Sequence, residues 1–327
     1  MALDPVPMFI GGQALHGGDV VRMLVYLATN GKQGVVAPMD LKVLPLDVPG
    51  AGVKVLAGGA SVLNRVASQQ AYTVRNPVTD VDSVKVAATG SAAGRSDLVI
   101  LRVDNPNVDG NAQVPDDLQK GPYNRFDIIA GVPAGTKRLR DLPAYAGMSA
   151  IELARIDLPK STGTVTSSMI TDLRQMASPR TLGPTQVPGA LPSPVQTLTL
   201  SGGWENFPKT GIPGVVIPEW ATHMSMEIKT TYRAVSGNDY FYLQAFFGAD
   251  NTYGVIADQV IDGQGVAKYR SPLFLPTNGD WPIPPALRGT TQPITIRARA
   301  AGSTGGVIAT TSEDYFYATV TFSEKLA

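Results

Sequence analysis

The stretch HMSMEIKTTYRAV, residues 223–235, decides the fold class. Met224, Met226, Ile228 and Tyr232 alternate in it with Ser225, Glu227, Lys229 and Arg233. Successive side chains of a strand point to opposite faces, so this alternation predicts a strand with one face on a core and the other in water. PITIRARA, residues 293–300, repeats the pattern with Ile294 and Ile296 against Arg297 and Arg299. The tetrapeptide DYFY occurs at 239–242 and again at 314–317. A period of two places Phe316, Ala318, Val320 and Phe322 on one face of the second copy, and Tyr315, Tyr317, Thr319 and Thr321 on the other. The first copy sorts Phe241, Leu243, Ala245 and Phe247 against Tyr240, Tyr242, Gln244 and Phe246. Residues 197–327 therefore read as a C-terminal β-sandwich, with a jelly roll as one form of it.

Upstream, residues 1–165 read as a second β domain. LKVLPL, GVKVLAG, ASVLNR, AYTVRN, DSVKVAA, DLVILRVD, RFDIIAGV and AIELARIDL are strand candidates punctuated by Gly, Pro, Asn and Asp. One helix precedes them. In GGDVVRMLVYLATNGK, Asp19 is placed to cap, Val20, Met23, Leu24 and Leu27 recur at helical spacing, and Gly31 ends the run. Its nearly all-round apolar surface predicts burial on several sides. A second helix is expected over 166–177 in TSSMITDLRQMASP, capped by Thr166, striped by Met169, Ile170, Leu173 and Met176, and stopped at Ser178 and Pro179. Residues 178–196 carry five prolines and read as an extended linker that could span up to about 60 Å. The expected class is mainly β: two β-sandwich-type domains, the first with flanking helices, joined by a short helix and a Pro-rich linker.

Composition narrows the function. Hydrophobic residues make up 43 % of 327 and charged residues 17 %, with zero formal net charge, which is the balance of an ordered globular chain. No basic excess exists to drive counterion release, and Lys137, Arg138 and Arg140 are followed at once by Asp141, so no nucleic-acid partner is expected. The absence of cysteine removes disulfides, thiolate nucleophiles and sulfur metal sites. MALDPVPMFIGG lacks a basic n-region, and no run approaches the ~18 apolar residues of a spanning helix, so neither export nor membrane insertion is expected and assembly is placed in a cytoplasm.

The chemistry-bearing constellations are sparse. His16 and His223 are the only histidines, and no nucleophile elbow, P-loop or zincin motif is present. No enzyme and no cofactor are expected. Paired carboxylates for glycoside cleavage leave no linear signature, which keeps a glycan-cleaving enzyme as the alternative. Asn105, Asn107, Asp109, Gly110 and Asp116 occupy positions 1, 3, 5, 6 and 12 of a calcium-loop template, but with too few acidic groups and no flanking helices, so a hairpin loop is expected and no metal site. Tyr240, Tyr242, Tyr315 and Tyr317, with Trp204, Trp220 and Trp281, offer ring faces on which sugars stack. Tyr240, Tyr242, Tyr315, Tyr317 and Trp204 are the candidate glycan-binding set, against the plainer reading of tyrosines common in strands or at a subunit interface.

GSAAGRSDLVILRVDNP, residues 90–106, and MSAIELARIDLPKSTGTVTSSMITDLRQMASP, residues 148–179, together resemble the N-terminal module of minor tail or baseplate proteins of long-tailed phages of actinobacteria. Arg95 and Asp97, Leu98 to Val103, Leu153 and Ala154, Pro159, and then Ile170, Asp172 and Arg174 carry the resemblance, which covers roughly residues 1–180. Arg95 and Asp97, two apart on an extended chain, face the same side and can pair. The resemblance implies a tail-tip virion protein, a homotrimer, docked to other tail proteins by its N-terminal module. Its distal domain would face the host surface by position. In such a trimer, Met169, Ile170, Leu173 and Met176 are the expected helical seam.

Overall fold

The computed structural model describes residues 17–189, 196–199, 202–209, 211–236, 240–262, 270–277, 279–301 and 306–326. His16, the opening residues and positions 190–195 of the expected linker lie outside them. The chain is mainly β, with antiparallel sheets throughout and a single α-helix among the described residues. It divides into two compact units, Met1–Pro179 with Leu326–Ala327, and Arg180–Lys325.

The first unit is organised by the strand Arg95–Val103. Arg95–Val103 lies between Asn124–Val132 and Ala150–Leu158, and Ile170–Asp172 adds a fourth strand beside Ala150–Leu158. Val99, Leu101, Ile151, Leu153 and Ile156 face a core shared with Val35, Val53, Val55 and Val62 from the smaller sheets. Leu98, Ile100 and Ile129 face a second, smaller cluster closed by Leu139. A sheet buried on both faces explains the near-continuous apolar run DLVIL, which alternation alone would not give. DSVKVAA forms no strand; Val84 and Val86 are buried, but residue 85 makes only an isolated bridge to Gly52.

Two expectations in this unit are corrected. The helix Gly18–Ala28 forms, but it buries none of its residues: Val21, Met23 and Leu24 are about two-fifths exposed, and Leu27 is 66 % exposed. Its first turn follows Gly17 with no side-chain cap, so Asp19 does not cap it and instead pairs with Arg22. The helix over 166–177 does not form. Ser167–Met169 makes one 3-10 turn, and Ile170–Asp172 then pairs with residues 154–156. Three helical turns are marginal in water, whereas an open sheet edge offers a hydrogen bond to each strand residue at once. Leu173 N–H donates to Leu153 O at 3.0 Å, and Ala177 N–H to Val35 O at 2.9 Å. Arg174, buried, grips Asp172 with Nε and Nη2 and donates Nη1 to the carbonyls of Pro38 and Asp40 at 3.0 and 2.7 Å. In this extended form Met169, Ile170 and Met176 pack on the larger core and Leu173 on the smaller one, so the four apolar residues do not share the helical stripe expected of them.

The second unit is a sandwich of two antiparallel sheets. His223–Ser236 is central in one: Phe316–Ser323 and Val307–Thr310 pair along one edge, Arg270–Pro276 and Trp281–Pro282 along the other. Met224, Met226, Ile228 and Tyr232 are buried, as the alternation predicts. The segment expected as a linker contributes Thr181–Pro188 to this sheet, paired with Phe316–Ser323. Its prolines are tolerated because the strand lies at the sheet's edge, where one side needs no backbone donors. The other sheet orders Glu205–Asn206, Thr291–Ala300, Tyr240–Phe247 and Ala257–Asp262, with Ile212–Val216 also on Thr291–Ala300. Phe241, Leu243, Ala245, Phe247, Ile294 and Ile296 meet the first sheet's inner face in one core.

Candidate carbohydrate-binding face

The core arrangement sends the two DYFY copies to opposite sides of the sandwich. Phe241, Leu243 and Phe247 of one, and Phe316, Ala318 and Val320 of the other, enter the same core from facing sheets. Tyr240 and Tyr242 therefore look out from one sheet and Tyr315 and Tyr317 from the other. The expected five-residue glycan set is thus two sets.

Tyr315 and Tyr317 stack on each other with centroids 5.9 Å apart and rings tilted by 41°. Lys229 stands opposite Tyr317 across the strand pair, and its ammonium bonds Glu227 at 2.8 Å. That hydrogen bond, with the Glu227 charge, raises the Lys229 pKa. On this aromatic face Lys229 is neutralised by its acidic neighbour.

The opposite face joins Trp204 and Tyr242 through arginine. Arg297 and Arg299, two apart on Thr291–Ala300, share the outward side with Tyr242 and Gln244 of the neighbouring strand. The Arg299 guanidinium carbon lies 4.9 Å from the Trp204 ring centre and 5.0 Å from that of Tyr242. Arg297 lies 4.8 Å from the Trp204 ring and 4.9 Å from that of Phe246. Two rings against one guanidinium hold it by cation–π attraction and stiffen an otherwise mobile side chain. Trp204 is placed by its neighbours on the C-terminal side: residues 205 and 206 pair with Ala298 and Arg297, Phe207 is buried, and Gln196 donates to Asn206 O at 3.2 Å while accepting Lys209 N–H at 2.7 Å.

Among the described residues, the hydrogen bonds and ring contacts of Arg297 and Arg299 involve no carboxylate. Arg297 donates Nε and Nη2 to Gln244 Oε1 at 3.2 and 2.9 Å, a neutral acceptor. Burial first, and then the Arg299 charge, hold the Arg297 pKa below its ordinary value. Arg299 Nε is buried without a hydrogen-bond partner. Asp258 and Asp262 stand opposite Gln244 and Tyr240 on the next strand, and both are engaged in interactions of their own. The outward surface thus carries two aromatic rings and two arginines that meet no carboxylate, beside two aspartates with interactions of their own, which suits a ring-shaped ligand whose acidic groups meet the arginines.

The sequence shows Arg297 and Arg299 as a water-facing pair but hides that they are stacked. The contact partner, Trp204, is nearly a hundred residues away in the chain and joins them only through a two-residue strand. Trp220 and Trp281 belong elsewhere: both are packed against the core, Trp281 beside Phe247 at 5.6 Å and Trp220 under Arg180 at 5.3 Å. The calcium-template loop uses its side-chain oxygens internally, Asn105 Oδ1 accepting Asn107 N–H at 3.1 Å and Asp109 Oδ1 accepting Asn111 N–H at 2.9 Å. Among the described residues no group of three or more His, Cys, Asp or Glu is arranged to hold a metal, and no helix is long and apolar enough to cross a membrane.

The fold thus defines a mainly β protein of two antiparallel units, the second a sandwich. No family model matches the sequence, and no curated protein matches it either. Among solved structures, the chain is similar to that of the infectious bursal disease virus Gx strain, with 11 % identity, 90 % of this chain and 73 % of that one covered, and a TM-score of 0.24. It is also similar to the VP2 subviral particle of infectious bursal disease virus, with 10 % identity, 90 % and 74 % covered, and a TM-score of 0.22. These are proteins of virus particles, and a likeness this distant carries no argument about function.

Proposed function

We propose that the chain is a structural protein of a virus particle, a tail-tip or baseplate component of a long-tailed phage, whose C-terminal sandwich binds an acidic host-surface saccharide on the Trp204–Arg299–Tyr242 face. The observation that carries the binding role is the cluster itself: an arginine held against the rings of Trp204 and Tyr242 with no carboxylate partner. The tail role rests on the order of residues through 1–180 that resembles tail-tip modules. In this reading the N-terminal unit docks to neighbouring tail proteins as a homotrimer, through surfaces other than residues 166–177, whose apolar side chains are spent within the unit.

Capture of the full chain on host-surface polysaccharide tests the binding role. Trp204→Ala should abolish capture, whereas Tyr315→Ala, on the opposite face, should leave it intact. Equal capture of both variants and the parent chain would remove the face from consideration. Cleavage is the second reading, favoured by one feature: Asp258 and Asp262 share the face with Tyr242. Release of new reducing ends, lost in Asp258→Asn, would support it over binding alone.

A further inference from the structure

A cavity of about 280 Å³ in the first unit gathers positive charge from separate parts of the chain. Lys32, Arg65, Arg138 and Arg140 line it, and Glu152 is its one acidic residue. Each is placed by backbone anchoring. Leu139 is buried, and its N–H donates to Glu152 Oε1 at 2.5 Å, which fixes the 3-10 turn Leu139–Asp141 and sets Arg138 and Arg140 on either side of the pin. Asn64 Oδ1 accepts the N–H groups of Val66 and Ala67 at 3.0 Å, and Arg65 N–H donates to Ser149 Oγ at 3.0 Å, so the Arg65 backbone is held in a closed turn. Lys32 follows Gly31, whose φ of 69° and closeness to the Tyr26 ring leave no room for a side chain.

This grouping does not stabilise the fold. Four cations face one carboxylate, which already accepts a backbone N–H. Asp141, adjacent to Arg140 in sequence, is exposed and forms no ion pair with these arginines among the described residues. Arg65 Nη2 finds only the neutral Gln33 Oε1, at 3.1 Å. Burial, and next the Arg140 charge, hold the Arg65 pKa below its ordinary value. A larger hollow of about 700 Å³ on the same unit shows the opposite arrangement: Arg95 and Arg155 line it, but each is already gripped at two points by Asp97 and Asp157.

We propose that the smaller cavity binds a doubly charged oxyanion, a phosphate or sulfate group, held by Arg65, Arg138 and Arg140 with Lys32 adding a fourth positive charge. Guanidinium groups offer paired N–H donors that match such oxygens, and convergent like charges are relieved only by an anion between them. The site is independent of the saccharide face of the second unit.

Calorimetric titration of the full chain with inorganic phosphate, sulfate, acetate and chloride at constant ionic strength tests it. Phosphate and sulfate should bind saturably at one site per chain and raise the melting temperature; acetate and chloride should not. Arg138→Gln, at an exposed position, and Arg65→Gln should each weaken phosphate binding by about tenfold or more, while Lys120→Gln, remote in the same unit, should not. Circular dichroism of Arg138→Gln guards against misfolding as the cause. Glycerol phosphate, a monoester that keeps a doubly charged phosphate, binding as well as free phosphate would admit an ester-borne terminal group as the source, and its exclusion would leave a free ion; either supports the site. Absence of saturable binding below about 10 mM phosphate, or equal affinity in the arginine variants and the parent, would overturn the proposal.

Discussion

The two units use arginine on strands in opposite ways. In the first unit, an arginine is answered by an aspartate two residues along the same strand face: Arg95 with Asp97 at 2.7 Å, Arg102 with Asp104 at 2.7 Å, Arg125 with Asp127 at 3.7 Å and Arg155 with Asp157 at 2.9 Å. Asp172 and Arg174 repeat the pair in reverse order at 2.7 Å. In the second unit, the same i, i+2 spacing holds two arginines, Arg297 and Arg299, which meet rings instead of carboxylates. A strand residue and its second neighbour share a face, so at this one spacing the identity of the neighbour decides whether an arginine meets an opposite charge or a like one. Cancelled charge, where it is buried, fixes structure; accumulated charge on an outward face is available to a ligand.

The largest effect should come from breaking a buried pair in the first unit. Asp97 is fully buried, holds Arg95 at two points and accepts Gly131 N–H at 2.9 Å. Asp97→Ala leaves a guanidinium and a backbone donor without their acceptor and should cost about 3–5 kcal/mol, read from urea unfolding of the full chain. Arg299→Gln, which loses two ring contacts and no ion pair, should cost about 1 kcal/mol. If the two costs were equal, the contrast between structural and ligand-facing arginines would fail.

Acid titration probes the same contrast at lower amplitude. The Asp157 carboxyl is held below its ordinary pKa chiefly by its hydrogen bonds from Arg155, and Glu324 likewise by Arg180. A depressed carboxylate pKa stabilises the fold above the unfolded value of about 4 and loses that contribution as pH falls through the folded value. Both units should therefore weaken in acid. His223, in the second unit, has its pKa lowered by burial and then by Lys325. Its folded form binds fewer protons than the unfolded chain, so that unit alone should begin to weaken as pH drops below about 6.5, and His223→Asn should remove this earlier loss. Unfolding midpoints of parent and variant from about pH 4.5 to 7.5 check the sign; a parent whose second unit gained stability on acidification across the histidine range would contradict it.

The smallest effect belongs to the helix Gly18–Ala28. Leu27→Glu should change stability by about 0.5 kcal/mol or less, because the side chain is 66 % exposed. A cost of several kcal/mol would show the helix to be core after all.

How far these features can be read in advance depends on whether they are local. The alternation in residues 223–235, 293–300 and 314–324 is a property of neighbouring residues and was recoverable, apart from Thr231, which is buried beside Thr230 and Tyr232, as was the Arg95–Asp97 pair. The segment 166–177 was not, because Ile170, Leu173 and Met176 fit a helical stripe, and that local pattern was overridden by the open edge of Ala150–Leu158 more than ten residues earlier. The apolar pattern of Gly18–Ala28 specifies a helix, but the number of sides it buries depends on what packs there, which pattern does not contain. The tyrosines of the two DYFY copies were legible as outward-facing. That they face away from each other follows from the sandwich, and the Trp204 contact from a register no local rule supplies.

The Arg297–Arg299 surface is proposed to bind acidic saccharide because its arginines meet Gln244 and aromatic rings instead of carboxylates, and the rings hold the guanidiniums in place. Calorimetric titration of the full chain with an acidic and a neutral polysaccharide of matched length, for the parent and for Arg299→Gln, is the decisive test. The expected result is saturable binding of the acidic polymer that weakens about tenfold in Arg299→Gln and with rising salt, at nearly unchanged stability. Affinity for the acidic polymer that is equal in parent and variant, or no preference for it over the neutral one, would refute the proposed role of this surface.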